Sequence, residues 1–220
     1  FCKFIDMNQI KTKQRVSDHG EVFTSEREVN AMLDLVKQET ERIDSRFLEP
    51  ACGDGNFLSN VLERKLDIVE KNYKNSQKEF ERYSLVAISS IYGIEILEDN
   101  TKVCRERLLS IFEKRYNSIF KSTRNIELIK SAKYLLEKNI IHGDALTLKT
   151  VDGSNKPITF SEWSFIEDKV KRRDFTFGEL LANEEIKGLP LFSDLGDEVF
   201  LPTPIKEYPL VHYLGLNDNA

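Results

Sequence analysis

Gly53 and Gly55 stand in the stretch FLEPACGDGNFL, residues 47–58, where a short apolar run meets a carboxylate, a proline and then a GxG pair. Glycine lets backbone come close to a ligand, and a helix start offers free N–H groups. A strand that turns through glycines into a helix therefore makes a binding corner. The fingerprint is GxG and not GxGxxG, because Leu58 holds the place of a third glycine. Alone, GxG reads equally as a strand-to-helix turn that holds nothing. Glu95 closes the run YGIEIL. A carboxylate at a strand end is placed to accept hydrogen bonds from two ribose hydroxyls; the plainer reading is a solvated strand-end glutamate. Glu95 follows Gly53 by 42 residues, about twice the usual ~20, and an inserted helix in the charged stretch 67–90 accounts for the surplus. Asp144, in HGDAL, reads as an acceptor for a heterocycle's amino group or as a helix N-cap, and the two roles are compatible.

These residues need strands to carry them. FLEP, opened by Arg46, reads as a short buried strand that Pro50 ends, since proline cannot donate to a ladder. A helix follows from Asp54 to about Val69, with Phe57, Leu58, Val61, Leu62, Leu66 and Val69 as its apolar stripe. Residues 70–83 form a charged helical stretch or an insertion. IYGIEI is a strand, residues 100–120 an amphipathic helix, IELIKSAKYLLEK a further helix, and NIIHGDAL a strand ending at Gly143 and Asp144. Ahead of all this, Thr24 or Ser25 caps a helix beginning SEREVNAMLDLVKQETERI, with Val29, Met32, Leu33, Val36 and Ile43 at helical spacing. Strands alternating with helices predict an α/β fold with a parallel sheet. The last third differs: five of the six prolines lie after residue 150. There PITFSEWSFI reads as one more strand, FGELLANEEI as a helix, and LPTPIKEYPLVHYL as an extended strap.

Composition narrows the function. Hydrophobic residues are 40% and charged residues 31% of the 220, which fits a soluble globular protein of one sizeable domain or two small ones. No apolar run approaches the ~18 residues of a membrane span. The first ten residues carry no signal-peptide pattern, and Met7 is a candidate start, with FCKFID as an upstream extension. Cys2, Cys52 and Cys104 lie far apart, which predicts a reducing, cytoplasmic setting and no disulfide framework. With His19 and His142 reading as loop and strand-end residues, and no HxxxH or CxxC spacing, no metal site is expected. A net charge of −5 makes poor non-specific nucleic-acid binding. Any DNA contact must come from a local patch or a partner; KVKRRDF, residues 169–175, is the one dense basic cluster, and otherwise a solvated face.

Four segments in order, HGEVFT (19–24), EPACGDGNFL, YGIEI and NIIHGDAL, resemble class I S-adenosylmethionine-dependent DNA methyltransferases of the adenine amino-group type, found in restriction-modification systems. The likeness covers roughly residues 17–148. It implies a shortened Rossmann-like parallel sheet of the class I methyltransferase type, with an N-terminal helical segment and an extended proline-rich C-terminal strap. By that resemblance Phe23 and Thr24 contact the methionine part of the cofactor. Glu49, Ala51, Cys52, Gly53 and Gly55 form its cradle, with Asn56 and Phe57 nearby. Glu95 holds the ribose, Ile96 flanks the adenine face, and Asp144 with Ala145 meets its edge. Cys52 itself reads as a small buried filler and not a nucleophile, since no His or Lys is near it in sequence.

The family's Asn/Asp-Pro-Pro-Tyr/Phe tetrad, which holds the flipped target base, has no counterpart: the 220 residues contain no Pro-Pro pair. The place it should occupy reads PITFSEWSFI. Ser161 or Glu162 as acceptor and Trp163 as stacking ring make a degenerate site; the alternative is a loop, with Trp163 packed in the core. The expected organisation is a flexible segment 1–18, an S-adenosylmethionine-binding domain 19–166 and a C-terminal extension 167–220. The expected partners are DNA, reached directly or only through a partner subunit, and a protein that supplies target recognition. Two rivals stay open: a non-catalytic cofactor-binding subunit or regulator of a restriction or phage-defence system, and a Rossmann-like nucleotide-binding domain of other chemistry, such as a dehydrogenase.

Overall fold

Three short strands lie side by side in parallel and set the frame of the molecule: β1 (Phe47–Glu49), β2 (Ile91–Glu95) and β3 (Ile140–Asp144). The structure, a computed structural model, describes residue 15, residues 24–187 and residues 203–219. β2 is central, pairing Phe47↔Ile91 on one side and Gly93↔Ile140 on the other, and all five of its residues are buried. A two-residue strand β4 (Lys149–Thr150) turns back antiparallel onto β3.

Helices fill the connections. α1 (Glu26–Leu35) starts at Ser25, whose hydroxyl and Glu28 carboxylate satisfy each other's backbone N–H groups. It is shorter than its apolar spacing predicts. Val29 and Leu33 are buried, but Met32 and Leu35 are not, and the helix breaks at Val36 before the single turn α2 (Lys37–Thr40). Between β1 and β2 stand two helices, α3 (Asn56–Tyr73) and α4 (Gln77–Ser89), the second capped by Ser76. The insertion is thus a whole extra helix, and it accounts for the wide spacing from Gly53 to Glu95. α5 (Glu98–Phe120) and α6 (Ile126–Asn139) lead from β2 to β3. Among the described residues no helix is long and apolar enough to cross a membrane.

The chain then makes a hairpin. β5 (Thr159–Ile166) and β6 (Lys169–Thr176) pair antiparallel from Thr159↔Thr176 to Ile166↔Lys169. SEWS is therefore strand and not loop. A domain boundary between residues 166 and 167 would cut this hairpin at its tip. The first core continues into it, since Trp163 and Val170 join the helices' apolar cluster. α7 (Phe177–Lys187) follows, and a second cluster packs Tyr92 and Ile94 of β2 under Ile158, Phe160 and Phe177. Of the expected strap, residues 203–214 are described. Two short strands, β7 (Lys206–Glu207) and β8 (Val211–His212), lie against β6, and a 3-10 turn (Tyr213–Asn219) packs on α6.

One core residue escapes the periodicity argument. Lys65 sits in the apolar stripe of α3 with no exposed surface. Its ammonium donates to the carbonyls of Ile43 and Ser45 and to Ser90 Oγ, tying the approach of β1 to that of β2. Burial pulls its pKa down from 10.5 to about 7. From pH 7 to 10.5 the unfolded chain therefore binds a proton that the native state has shed, so stability rises with pH across that window, by at most about 1.4 kcal/mol per unit from this group. Urea melts at pH 7.5 and 9.5 are expected to show this rise in the native chain and a flatter slope in Lys65→Met.

Candidate functional site

The glycine turn begins where β1 stops. Proline at 50 ends the strand; Gly53 (φ 54°) and Gly55 (φ 86°) take left-handed conformations that side-chain-bearing residues avoid. Gly55 is the N-cap of α3. The Cys52 N–H donates to the Ile94 carbonyl at 2.9 Å, and the Gly55 N–H to the Cys52 carbonyl at 2.9 Å, so the turn is sewn to β2. A Cβ on Gly55 would lie 2.7 Å from Cys104 Sγ, and one on Gly93 would lie 2.9 Å from Cys52 Sγ. Gly93, unremarked in the sequence, is the hollow in β2 that admits Cys52. The Cys52 thiol is buried; its hydrogen bond with Cys104, burial and the nearby carboxylates of Glu95 and Glu49 all push its pKa far up. That is the chemistry of a filler.

Glu95 links two strand ends. Its Oε2 accepts from the Gly53 N–H at 2.8 Å and its Oε1 from the Leu97 N–H at 2.9 Å, and the residue is 6% exposed. The contact spans the insertion and was not readable as a spacing. Ile96, beside it, is 47% exposed, and His142 Nε2 donates to its carbonyl at 3.1 Å. Asp144 closes β3. Its carboxylate accepts from the Leu146 N–H and the Thr147 hydroxyl, both at 2.9 Å, and these bonds lower its pKa. No helix follows, so Asp144 stabilises a turn into β4 and is not an N-cap. Ala145 is half-buried against the second core.

The remaining cradle residues frame the turn. Glu49 is half-buried; burial raises its pKa and a hydrogen bond from the Ala51 backbone opposes the rise. Ala51 is exposed, and Phe57 packs on the core. Asn56 Nδ2 donates to the Thr24 carbonyl at 2.5 Å, holding the end of the N-terminal segment against the turn. Phe23 and the rest of HGEVF lie outside the described residues. The strand order puts the Gly53–Gly55 turn, Glu95 and Asp144 at the carboxyl ends of adjacent strands. At ~4.8 Å per strand the crevice is about 10 Å across, the span of a nucleoside, and the carboxyl ends of parallel strands are where α/β sheets hold ligands.

Ser161, Glu162 and Trp163 are elsewhere. The Trp163 indole donates to Asn139 Oδ1 at 2.9 Å, and Asn139 in turn donates to the carbonyls of Ser89 and Ile91. This is the amino end of β2 and β3. Five residues of strand, about 16 Å, separate it from Asp144. Ser161 is buried and donates to Asp174 at 2.7 Å; Glu162 is spent on Arg46 at 2.6 Å and Arg173 at 2.7 Å. The acceptor-plus-ring arrangement is thus a set of structural bonds at the wrong end of the sheet. Trp163→Phe is expected to cost about 1–3 kcal/mol in a urea melt, because Asn139 keeps a buried unpaired oxygen, and to leave affinity for any ligand of the glycine crevice unchanged.

The basic cluster is likewise engaged. Arg172 makes two bonds to Asp174 at 2.8 Å, a third to the Tyr134 hydroxyl, and stacks on Tyr208 at 4.1 Å. Lys171 pairs with Glu207 at 2.9 Å. On a strand, alternate residues share a face. Val170, Arg172 and Asp174 therefore turn inward together, a signal that KVKRRDF carried and that a charge count missed. Lys171, Arg172 and Arg173 of the cluster thus hold β7 and the following extended chain on β6 and pair with carboxylates.

A cavity of about 310 Å³ lies between Leu48 and Tyr92 on the sheet and Phe160, Phe177 and Leu180 beyond it. Its walls are mainly apolar, and its polar residues Ser161, Glu162 and Arg46 are already paired.

A family model described as the MmeI DNA-methyltransferase domain matches residues 21–159. No curated protein and no solved structure matches the chain. The matched span takes in every residue of the crevice and stops short of Ser161, Glu162 and Trp163.

Proposed function

The chain belongs to the MmeI DNA-methyltransferase domain family, and we propose that it binds S-adenosylmethionine in the crevice at the carboxyl ends of β1, β2 and β3. At family level it is a methyltransferase-like protein of restriction-modification type. In the proposed reading the substrate is DNA and the acceptor is the adenine amino group.

One observation supports donor binding above the others: Glu95 is bonded to the Gly53 N–H, so the ribose acceptor and the glycine turn form one rigid unit. Each carboxylate oxygen accepts two hydrogen bonds. Those to Gly53 and Leu97 leave one on each oxygen for the two ribose hydroxyls, so the residues fit the group. The Gly53–Gly55 backbone takes the methionine part. Ile96 lends an apolar face to the adenine, and the Asp144 turn with Ala145 meets its edge. When bound, S-adenosylmethionine supplies an electrophilic methyl on its sulfonium. This chain's residues bind and orient it.

Among the described residues, the candidates Ser161, Glu162 and Trp163 are not left free to grip the target base in the manner of the family's tetrad, and in this reading a partner supplies that grip together with target recognition. The commitment of Ser161, Glu162 and Trp163 to structural bonds supports this reading of the chain as the cofactor-holding subunit. The test uses purified chain, methyl-labelled donor and unmethylated DNA digested to nucleosides. The expected result is retained donor and no labelled methyladenine from the chain alone. Methyladenine formed by the chain alone would place a complete acceptor site within it.

A further inference from the structure

The glycine turn has one side chain by which its orientation can be set. Asp54 stands between the two left-handed glycines, and its carboxylate receives both ends of the Arg107 guanidinium: Nη1 to Oδ1 at 3.2 Å and Nη2 to Oδ2 at 2.6 Å. The side chains are 16% and 35% exposed, so the pair is partly sheltered from water. Arg107 belongs to α5, three residues after Cys104 and hence on the same helix face. That face is the one that receives the turn, because Cys104 lies directly under Gly55.

All three residues of the turn therefore have a distinct anchor. The Gly53 N–H is held by Glu95, the Asp54 carboxylate by Arg107, and Gly55 rests on Cys104. A glycine turn left to itself samples many conformations, and ordering it costs more than ordering other residues. A guanidinium that grips a carboxylate with two parallel bonds fixes direction as well as distance, which a point charge does not. An exposed ion pair is worth little to global stability. The worth of this one lies in where it holds the turn.

We propose that Arg107 is a positioning residue for the methyl donor: acting through Asp54, it fixes the glycine turn of the donor crevice on α5. The inference rests on the donor-binding reading above. The test is calorimetric titration of the full chain with S-adenosylmethionine, alongside thermal unfolding. The variants are Arg107→Met, Arg107→Lys, Asp54→Asn and the double variant Asp54→Asn/Arg107→Met. Each of Arg107→Met and Asp54→Asn is expected to weaken affinity about tenfold, the order found when an orienting partner behind a binding group is removed. Arg107→Lys, which keeps the charge and loses the fork, is expected to fall between. The double variant is expected to be no worse than either single one, and Tm to stay within a few degrees. Asp54→Asn keeps the side chain's shape and carries the test should Arg107→Met fail to fold. Single variants that bind as tightly as the native chain would overturn the inference, and so would a double variant that loses the sum of both effects. Affinity losses that merely track Tm would also overturn it. If the native chain itself fails to bind the donor, the donor-binding reading falls, and this inference with it.

Discussion

Gly55→Ala is expected to abolish S-adenosylmethionine binding and to cost about 2–5 kcal/mol of stability, the sum of left-handed strain and overpacking. Two facts set this size. Gly55 has φ 86°, where an L side chain is strained, and its added Cβ would sit 2.7 Å from Cys104 Sγ and 3.3 Å from Cys104 Cα. The Sγ belongs to a buried side chain on a 23-residue helix, so it has little room to yield. The turn must shift instead, and the Gly55 N–H that closes on Cys52 and the carbonyl that accepts from Ser59 shift with it. Urea melts and calorimetry on the same preparation separate the two effects. A variant that keeps native affinity would show that the ligand does not use this turn.

Glu95→Gln is expected to lower donor affinity by on the order of a hundredfold, from two charged hydrogen bonds of about 1.5 kcal/mol each. The amide has nearly the same shape, but it offers one accepting oxygen where the carboxylate offers two. Gly53 and Leu97 N–H already claim one bond on each oxygen. The amide NH₂ must therefore face a backbone N–H or a ribose hydroxyl that was donating. Glu95→Ala is expected to be worse for the fold, since the N–H groups of Gly53 and Leu97 both lose their partner, at about 1–3 kcal/mol for each group left unsatisfied and buried. A Glu95→Gln chain with unchanged affinity would detach the ribose role from this residue.

The glycine turn was readable because its signals are local. Pro50 ends the strand, the glycines permit the left-handed turn, and the apolar stripe from Phe57 to Val69 starts the helix. Asp144 was readable as a strand end, yet not as the closer of a turn, since that depends on the chain doubling back through β4. The longer contacts lay beyond pattern. The bond from Gly53 to Glu95 crosses an inserted helix. Lys65 looks like a polar break in an apolar stripe until three acceptors from separate segments converge on it. Arg107 is one charge among many on a long amphipathic helix, and only the docking of the turn distinguishes it. KVKRRDF reads as a contact patch or a solvated face; its charges alternate by strand face, and the inward turn of Arg172 toward Asp174 is a tertiary feature. Trp163 was placed in the core by one of its two readings, but its bond to Asn139, which fixes it at the amino end of the sheet, is tertiary.

The most direct test of the central claim is a calorimetric titration of the purified chain with S-adenosylmethionine and, separately, with NAD. Saturable binding of S-adenosylmethionine at one site per chain, its loss in Gly55→Ala, and no binding of NAD are expected. Absence of S-adenosylmethionine binding by the native chain, or binding of NAD alone, would contradict it.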